Sequence, residues 1–178
     1  MTQKLTLSAL VFNRAGVLLR VAGLFARRGY NILSLIVCAT EDPDFSRLTV
    51  VALAEHSQFS QVEKQLTKLE DVVRVVRLND NAAVESELLL IKVRAVNSER
   101  PTVLKTISAH GARVRDIGHV TLTAEFTGTT DMVDRFIADM SVYGIAELSR
   151  TGVAALESGD GSISQKEKEV ENGDDRNT

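Results

Sequence analysis

The chain has 178 residues, 44% of them hydrophobic and 25% charged, with a formal net charge of −3, which is ordinary for a soluble globular protein of one large or two small domains. A net charge so close to zero gives no electrostatic reason to expect nucleic acid or an anionic membrane surface as a partner. The longest early apolar run, 5–12, is too short to span a bilayer. The single cysteine, Cys38, excludes an intrachain disulfide and suits a reducing compartment, so we expect a cytoplasmic location.

The first half of the chain predicts the element order β-α-β-β-α-β from its changes of hydrophobic period. The predicted elements are, in order, strand 5–12, a helix from Val17 that ends at Gly29, strands 32–40 and 45–54 around a turn at Pro43, a helix over 57–69 and strand 72–76. This order is typical of an antiparallel four-stranded sheet with two helices on one face. The other face carries Leu10 and Phe12, so another domain or subunit should cover it.

A polar, turn-rich stretch follows, and the same order of elements then repeats in the second half of the chain. We therefore predict an α+β protein of two tandem ferredoxin-like βαββαβ domains: residues 1–79 and 88–156, joined by a linker at 80–87. The last segment, 157–178, carries seven acidic and three basic side chains and few apolar ones. Such a composition cannot form a core, so we expect a disordered acidic tail.

The loop between the first strand and the first helix is the candidate binding site. Gly16 allows a ligand to approach the backbone, and the free N–H groups of the first helical turn suit a carboxylate. Asn13 leads into this loop and Asn31 opens the next strand, so amides could hold the polar end of a small zwitterion such as an amino acid. From the residues alone, Asn13 and Gly16 are better explained as turn formers between the strand and the helix than as ligand contacts.

Several short motifs occur in a fixed order along 4–156. They are Asn-Arg-Ala-Gly-Val-Leu at 13–18, Gly-Leu-Phe at 23–25, Arg-Gly-Tyr-Asn-Ile at 28–32, Ser-Arg-Leu-Thr at 46–49, Lys-Gln-Leu at 64–66, Lys-Leu at 68–69 and Arg-Thr-Gly-Val at 150–153. In combination they resemble the regulatory small subunits of acetolactate synthase, or acetohydroxyacid synthase. The N-terminal half of those subunits is an ACT domain, an amino-acid-sensing ferredoxin-like module.

The resemblance implies a non-catalytic subunit of branched-chain amino acid biosynthesis that is a homodimer through its ACT domains. It would activate a large catalytic subunit and confer feedback inhibition by L-valine or a related branched-chain amino acid. The large subunit would use thiamine diphosphate, Mg²⁺ and FAD, and this chain would bind none of them. The second domain and residues 150–153 are candidate contacts to that large subunit.

The resemblance also implies where the effector binds, at the interface of two ACT domains. Asn13 and Gly16 would come from one chain and Asn31 from the other. The full set of expected effector-binding residues is Asn13, Ala15, Gly16, Val17, Leu18, Asn31 and Ile32. Leu33 departs from the family pattern, in which an acidic residue is common, and this departure bears on ligand preference.

No catalytic residue or metal ligand is expected from the sequence. His56, His110 and His119 are scattered, and Cys38 lies in an apolar strand where a buried thiol is expected. Arg47 stands alone in an apolar strand, either paired with an acid or a partner, or simply solvated at an edge.

Two other functions use the same order of elements. An acylphosphatase-like hydrolase would bind phosphate through Arg14, although the glycines expected around such a cradle are missing. An RNA-recognition module would need aromatic side chains on its central strands, whereas aromatics make up only 4% of this chain.

Overall fold

The computed structural model describes residues 2–78 and 83–164. The helices and strands are, in order, β1 Thr2–Phe12, α1 Val17–Arg27, β2 Asn31–Ala39, β3 Phe45–Glu55, α2 Phe59–Thr67, β4 Val72–Leu78, β5 Ala83–Arg94, α3 Arg100–Ala109, β6 Arg113–Ile117, β7 Thr121–Gly128, α4 Thr130–Ser141, β8 Ile145–Arg150 and β9 Ala154–Glu157. The predicted α+β architecture, with its βαββαβ order in each half, is confirmed.

The first unit, residues 2–78, is an antiparallel sheet in the order β2-β3-β1-β4. Alternate residues of β1 and β3 face α1 and α2, and the buried members include Leu7 and Val50, which are register partners. Helix α1 contributes Val21 and Phe25 to this core, as its helical spacing predicts. This packing leaves the loop before α1 at one end of the sheet.

The end of α1 follows from Gly29, which has φ 71°. The N–H of Gly29 donates to the carbonyl of Ala26 and that of Tyr30 to Phe25, each at 3.1 Å. This pair of bonds is the Schellman motif, which satisfies the last helical carbonyls and favours glycine because other residues are strained at positive φ. It turns the chain directly into β2.

The second unit, residues 83–164, repeats the arrangement with the order β6-β7-β5-β8 and with β9 paired to the first part of β5. The predicted linker is therefore corrected: residues 83–87 belong to β5, and the rest of the linker, 80–82, lies outside the described residues. The polar residues in 83–87 suggest a loop in the sequence. They form a strand because β9, from 71 residues further along, supplies its hydrogen bonds.

The start of the expected tail is also corrected, because Glu157 ends β9 and the segment 158–164 contacts the first unit. Ile163 is only 3% exposed, and the carbonyl of Ser162 accepts a hydrogen bond of 3.1 Å from Arg74 of β4. A backbone hydrogen bond, and next one from the Ser164 side chain, lower the pKa of Glu41. This segment contacts the sheet face for which cover was predicted; the remaining tail, 165–178, lies outside the described residues.

Two residues on that face behave differently from the expectation for an apolar strand. Cys38 is exposed, so the predicted buried thiol is wrong: β2 is the edge strand, and strand character alone does not bury an edge residue. Arg47, directly opposite Cys38, is half-buried and donates to Ser8 Oγ at 3.2 Å. It is therefore neither fully solvated nor confined to an acidic partner.

The two units meet at a joint, which we define as Ser34 of β2 together with residues 150–153. Arg150 donates to the buried carboxylate of Glu87 through Nε at 3.1 Å and through Nη2, and to Asp134 through Nη1 at 2.8 Å. Thr130 Oγ1 donates to the other oxygen of Glu87 at 3.0 Å. Burial disfavours the Arg150 cation, but the hydrogen bond and charge of Glu87, and then those of Asp134, outweigh it and raise the pKa of Arg150.

The remaining joint residues connect β5 of the second unit to β2 of the first. The N–H of Thr151 donates to the carbonyl of Leu88 at 3.0 Å, and the N–H of Val153 donates to Ser34 Oγ at 3.3 Å. The Val153 side chain is buried in a small cluster that includes Val51. Residues 150–153, expected as contacts to another subunit, are thus used inside the chain.

Arg150→Met should lower the free energy of unfolding by roughly 2–4 kcal/mol, because it leaves the buried Glu87 carboxylate without its cation. Arg115→Met is the control: Arg115 Nε lies 3.4 Å from the Glu125 carboxylate in a more exposed pair, in which 57% of the Arg115 and 21% of the Glu125 side chain is exposed, so its loss should cost less than about 1 kcal/mol. Urea unfolding of both variants measures the difference. Equal losses would show that Glu87 does not depend on Arg150.

Candidate functional site

The loop between β1 and α1 is held on one side by the turn between β2 and β3. The backbone N–H of Asn13 donates to the carbonyl of Asp44 at 2.8 Å, and Asn13 Nδ2 donates to that of Pro43 at 3.0 Å. Asn13 is exposed. Its side-chain oxygen can therefore accept a further hydrogen bond, for example from an ammonium group.

The other side of the loop is held by Arg20 and Asp71. Arg20 Nε pairs with the Asp71 carboxylate, and the backbone carbonyl of Asp71 accepts a 2.9 Å hydrogen bond from the N–H of Phe12. Arg20 Nη1 would lie 3.0 Å from a Cβ added at Gly16. The guanidinium group therefore lies against the loop backbone and fixes its path.

Gly16 is the N-cap of α1 and has φ 87°, a backbone conformation that L side chains rarely adopt. Glycine has no side chain with which to cap the helix. The N–H groups of Leu18 and Leu19 in the first turn have no preceding helical carbonyl to bond. The site thus presents backbone donors and the positive end of the helix dipole, which favour a carboxylate.

The other predicted loop residues contribute in different ways. Ala15 is exposed beside Gly16, whereas Val17 is buried in the core, so only its backbone faces the site. Leu18 is 47% exposed and Leu19 is 76% exposed, which leaves apolar surface beside the loop. Leu19, Arg20 and Asp71 are not among the residues that the resemblance implies. For Arg20, the sequence signal of its contact with the loop was its position one helical turn after Gly16.

Asn31 and Ile32 lie at the opposite end of the sheet from Asn13. Asn31 pairs with Leu53, which pairs with Lys4, while Asn13 directly follows Phe12 at the other end of β1. Lys4 and Phe12 are eight residue steps apart along the strand, or roughly 27 Å. A single chain therefore does not bring the two asparagines together.

Strand β2 is at the edge of the first sheet and pairs, among the described strands, with β3. Its backbone groups on the outer side are available to another strand. Leu33 and Val37 of β2 are exposed, as are Leu18 and Leu19 of α1. This edge combines free backbone groups with apolar side chains, which is typical of a surface that receives a partner.

The second unit fills the corresponding loop with its own side chain. Arg100, the first residue of α3, donates through Nη2 to the carbonyls of Ala95, Gly118 and His119 at 3.3, 2.8 and 3.0 Å. Its guanidinium group thereby connects the loop after β5 to the turn between β6 and β7. The open loop at Gly16 is thus not reproduced in the second unit.

Within residues 2–78 and 83–164, no group of three or more His, Cys, Asp or Glu side chains is placed to hold a metal ion. The helices of that same part of the chain include none long and apolar enough to cross a membrane. Arg14, the candidate phosphate ligand of a hydrolase, lies with its Cζ 4.7 Å from the centre of the Phe12 ring.

Both halves of the chain match families of small subunits of the same enzyme. Residues 7–74 match a family described as the acetohydroxyacid synthase small subunit-like ACT domain, and residues 86–159 match the small subunit of acetolactate synthase. The acetolactate synthase small subunit of Mycolicibacterium smegmatis is 42% identical over 86% of this chain and 91% of the relative. The isozyme 3 small subunit of Salmonella typhimurium is 41% identical over 86% of this chain and 95% of the relative.

A solved structure agrees with these sequence matches. The acetolactate synthase small subunit of Thermotoga maritima superposes with a TM-score of 0.82 at 32% identity, covering 89% of this chain and 99% of that one. The chain therefore belongs to the family of acetolactate synthase small subunits, which are regulatory rather than catalytic subunits.

Proposed function

We propose that this chain activates the large catalytic subunit of acetolactate synthase and lowers that activity when L-valine, or a related branched-chain amino acid, binds between two ACT domains. Membership of the small-subunit family supports the regulatory role. The observation that carries the effector site is the placement of Asn13 and Asn31 at opposite ends of one sheet.

That placement suits a symmetric dimer formed by antiparallel pairing of two β2 strands. In such a pair, the first residue of one β2 lies beside the last residue of the other. Ala39 ends β2 and is the register partner of Ser46, which pairs with Val11 near the Asn13 loop. Asn31 of the second copy would therefore reach the loop of the first, and the dimer would contain two identical sites.

The chemistry of this composite site matches an aliphatic amino acid. The N–H groups at the start of α1 would bind the carboxylate, since they have no helical acceptors. The side-chain oxygens of Asn13 and of Asn31 from the second copy would accept from the ammonium group. Leu18 and Ile32 would form an apolar wall, with Ala15 and Gly16 keeping the loop open.

Regulation requires that the effector bind one state of the complex more tightly than another. A coupling of about 1–3 kcal/mol between the effector and the catalytic state is typical of allosteric proteins. A site shared by two chains can supply this coupling, because an effector bound there changes the geometry of the interface. Thiamine diphosphate, Mg²⁺ and FAD belong to the large subunit in this proposal, and the cytoplasmic location stays a prediction.

The hydrolase alternative has no comparable support. Arg14 lies over the Phe12 ring, and Gly16 is the one glycine near it in the sequence, so these residues do not form a glycine-rich phosphate cradle. An assay for phosphate release from acetyl phosphate would revive that alternative only if the purified chain were active.

Asn13→Ala should weaken L-valine binding at least about tenfold, because it removes a hydrogen bond to a charged group. Isothermal titration calorimetry with L-valine, L-leucine, L-isoleucine and D-valine measures this. Asn97→Ala is the matched control, since Asn97 is an exposed asparagine in the loop after β5 of the second unit. Binding of L-valine that both variants retain would contradict the assignment of the loop.

Val37→Asp should weaken the homodimer at least about tenfold, because it places a charge on the strand edge that the second copy would cover. Val142→Asp is the control, since Val142 is 77% exposed and lies at the C-terminal end of α4, in the second unit. Sedimentation equilibrium over a concentration series gives both dissociation constants. A dimer that is unaffected by the charge at residue 37 would show that β2 does not form the interface.

A further inference from the structure

We propose that the joint transmits effector binding from β2 to the second unit, with Ser34 acting as a positioning residue. This inference rests on the proposed function, because it assumes that an amino acid binds the loop at Gly16 of one chain and Asn31 of another. It assigns to Ser34 and residues 150–153 a task that their place in the chain does not suggest, since 119 residues separate Ser34 from Val153.

Strand β2 has an irregular register between the effector residues and the joint. Ile32 pairs with Ala52, and Ser34 pairs with Val51, so Leu33 is an extra residue in the ladder. A bulge of this kind bends a strand and changes the direction of the side chains that follow it. The bulge lies between Ile32, an expected effector residue, and Ser34 of the joint. A movement of Asn31 and Ile32 on binding would therefore change the position of Ser34.

Ser34 fits closely against the second unit. Gly152 has φ 83°, and a Cβ added there would overlap Ser34 Oγ and lie 3.1 Å from Ser34 Cβ. Next to it, the N–H of Val153 donates to Ser34 Oγ at 3.3 Å. Residue 152 must therefore lack a side chain for β2 to reach this backbone.

Residues 150–153 are rigidly attached to β5. Thr151 forms backbone and side-chain hydrogen bonds with Leu88, at 3.0 Å to its carbonyl and 3.1 Å from its N–H. Arg150 is held by the buried Glu87 and by Asp134. A displacement of Ser34 consequently acts on β5, the central strand of the second sheet, rather than on a free loop.

Space for such a displacement exists beside the joint. An open cleft of about 830 Å³ separates the units and is lined by Leu33 and Ser34 of β2, by Thr129 and Asp131 at the start of α4, and by Arg150. Because the contact at the joint lies at the edge of this cleft, a small rotation of the second unit can follow a movement of β2, provided that the small buried cluster of Val51, Leu78, Val153 and Ala155 between the units moves with it. The proposal thus requires a second relative arrangement of the units beside the one that the structure shows.

Gly152→Ala should uncouple the units while leaving the effector loop intact. The matched control is Gly159→Ala: Gly159 also has positive φ, 75°, but nothing lies within 4 Å of an added Cβ. Both variants carry the same kind of backbone strain, and only the first disturbs Ser34. Ser34→Ala is a milder variant that removes the hydroxyl group without adding bulk, and it keeps the test available if Gly152→Ala fails to fold.

Hydrogen–deuterium exchange of the full chain, with and without L-valine, measures the coupling. In the wild type and in Gly159→Ala, L-valine should slow exchange at least about threefold in 13–19 and also in 83–88 and 150–157. In Gly152→Ala and Ser34→Ala the change in 13–19 should remain, with L-valine affinity within about threefold of wild type, and the change in the other two segments should be lost.

The outcomes separate this inference from the proposed function. Exchange that changes in 13–19 of the wild type but not in 83–88 or 150–157 would overturn the joint and leave the effector site standing. The same would follow if Gly152→Ala and Ser34→Ala kept the full wild-type response. An absence of any L-valine effect in 13–19 of the wild type would overturn the proposed function and the inference with it.

Discussion

The relation between the two units depends on the buried carboxylate of Glu87, which is only 4% exposed. A charge at that depth requires a cation and further hydrogen bonds, and Arg150 with Thr130 provides them. Since Arg150 is the last residue of β8, its pairing fixes the direction in which the chain leaves the second sheet. Glycine and valine follow at the two positions that meet Ser34. Well-packed apolar residues often stabilise a protein as much as a buried charged pair does. We therefore interpret the pair of Arg150 and Glu87 as specifying the docking geometry seen in the structure rather than as adding stability.

The two units use one element order for different purposes. In the first, the loop after β1 is open, α1 begins with a glycine and β2 leaves its outer edge unpaired. In the second, the Arg100 guanidinium group occupies the corresponding loop, and β5 is extended by pairing with β9. The first unit is thus suited to receive ligands and a second copy. The second unit closes its loop and contacts the first at the joint, so the open loop belongs to the first unit alone.

Local patterns in the sequence predicted most of the fold, because period, turn residues and Gly29 act over a few neighbours. Contacts between distant segments were not accessible in this way. Ser34 and Val153 are 119 residues apart, β9 turned an apparent linker into strand, and Ile163 is buried despite its polar neighbours. Cys38 was predicted to be buried because its strand is apolar, but it is exposed, since β2 lies at the edge of the sheet. For the site, the residues near Gly16 were accessible from motifs, whereas the opposite placement of Asn31 required the register.

Under the proposed effector site, that opposite placement has a consequence for how the protein would respond inside a cell. If each pocket is completed by a second copy, a lone chain holds only two incomplete halves, about 27 Å apart. The effector then binds the pair and not the single chain, so ligand and self-association strengthen each other by mass action. The concentration of amino acid that gives half response would fall as the protein becomes more abundant. The amount of small subunit that a cell makes would therefore set the sensitivity of its own feedback, in addition to the number of regulated complexes.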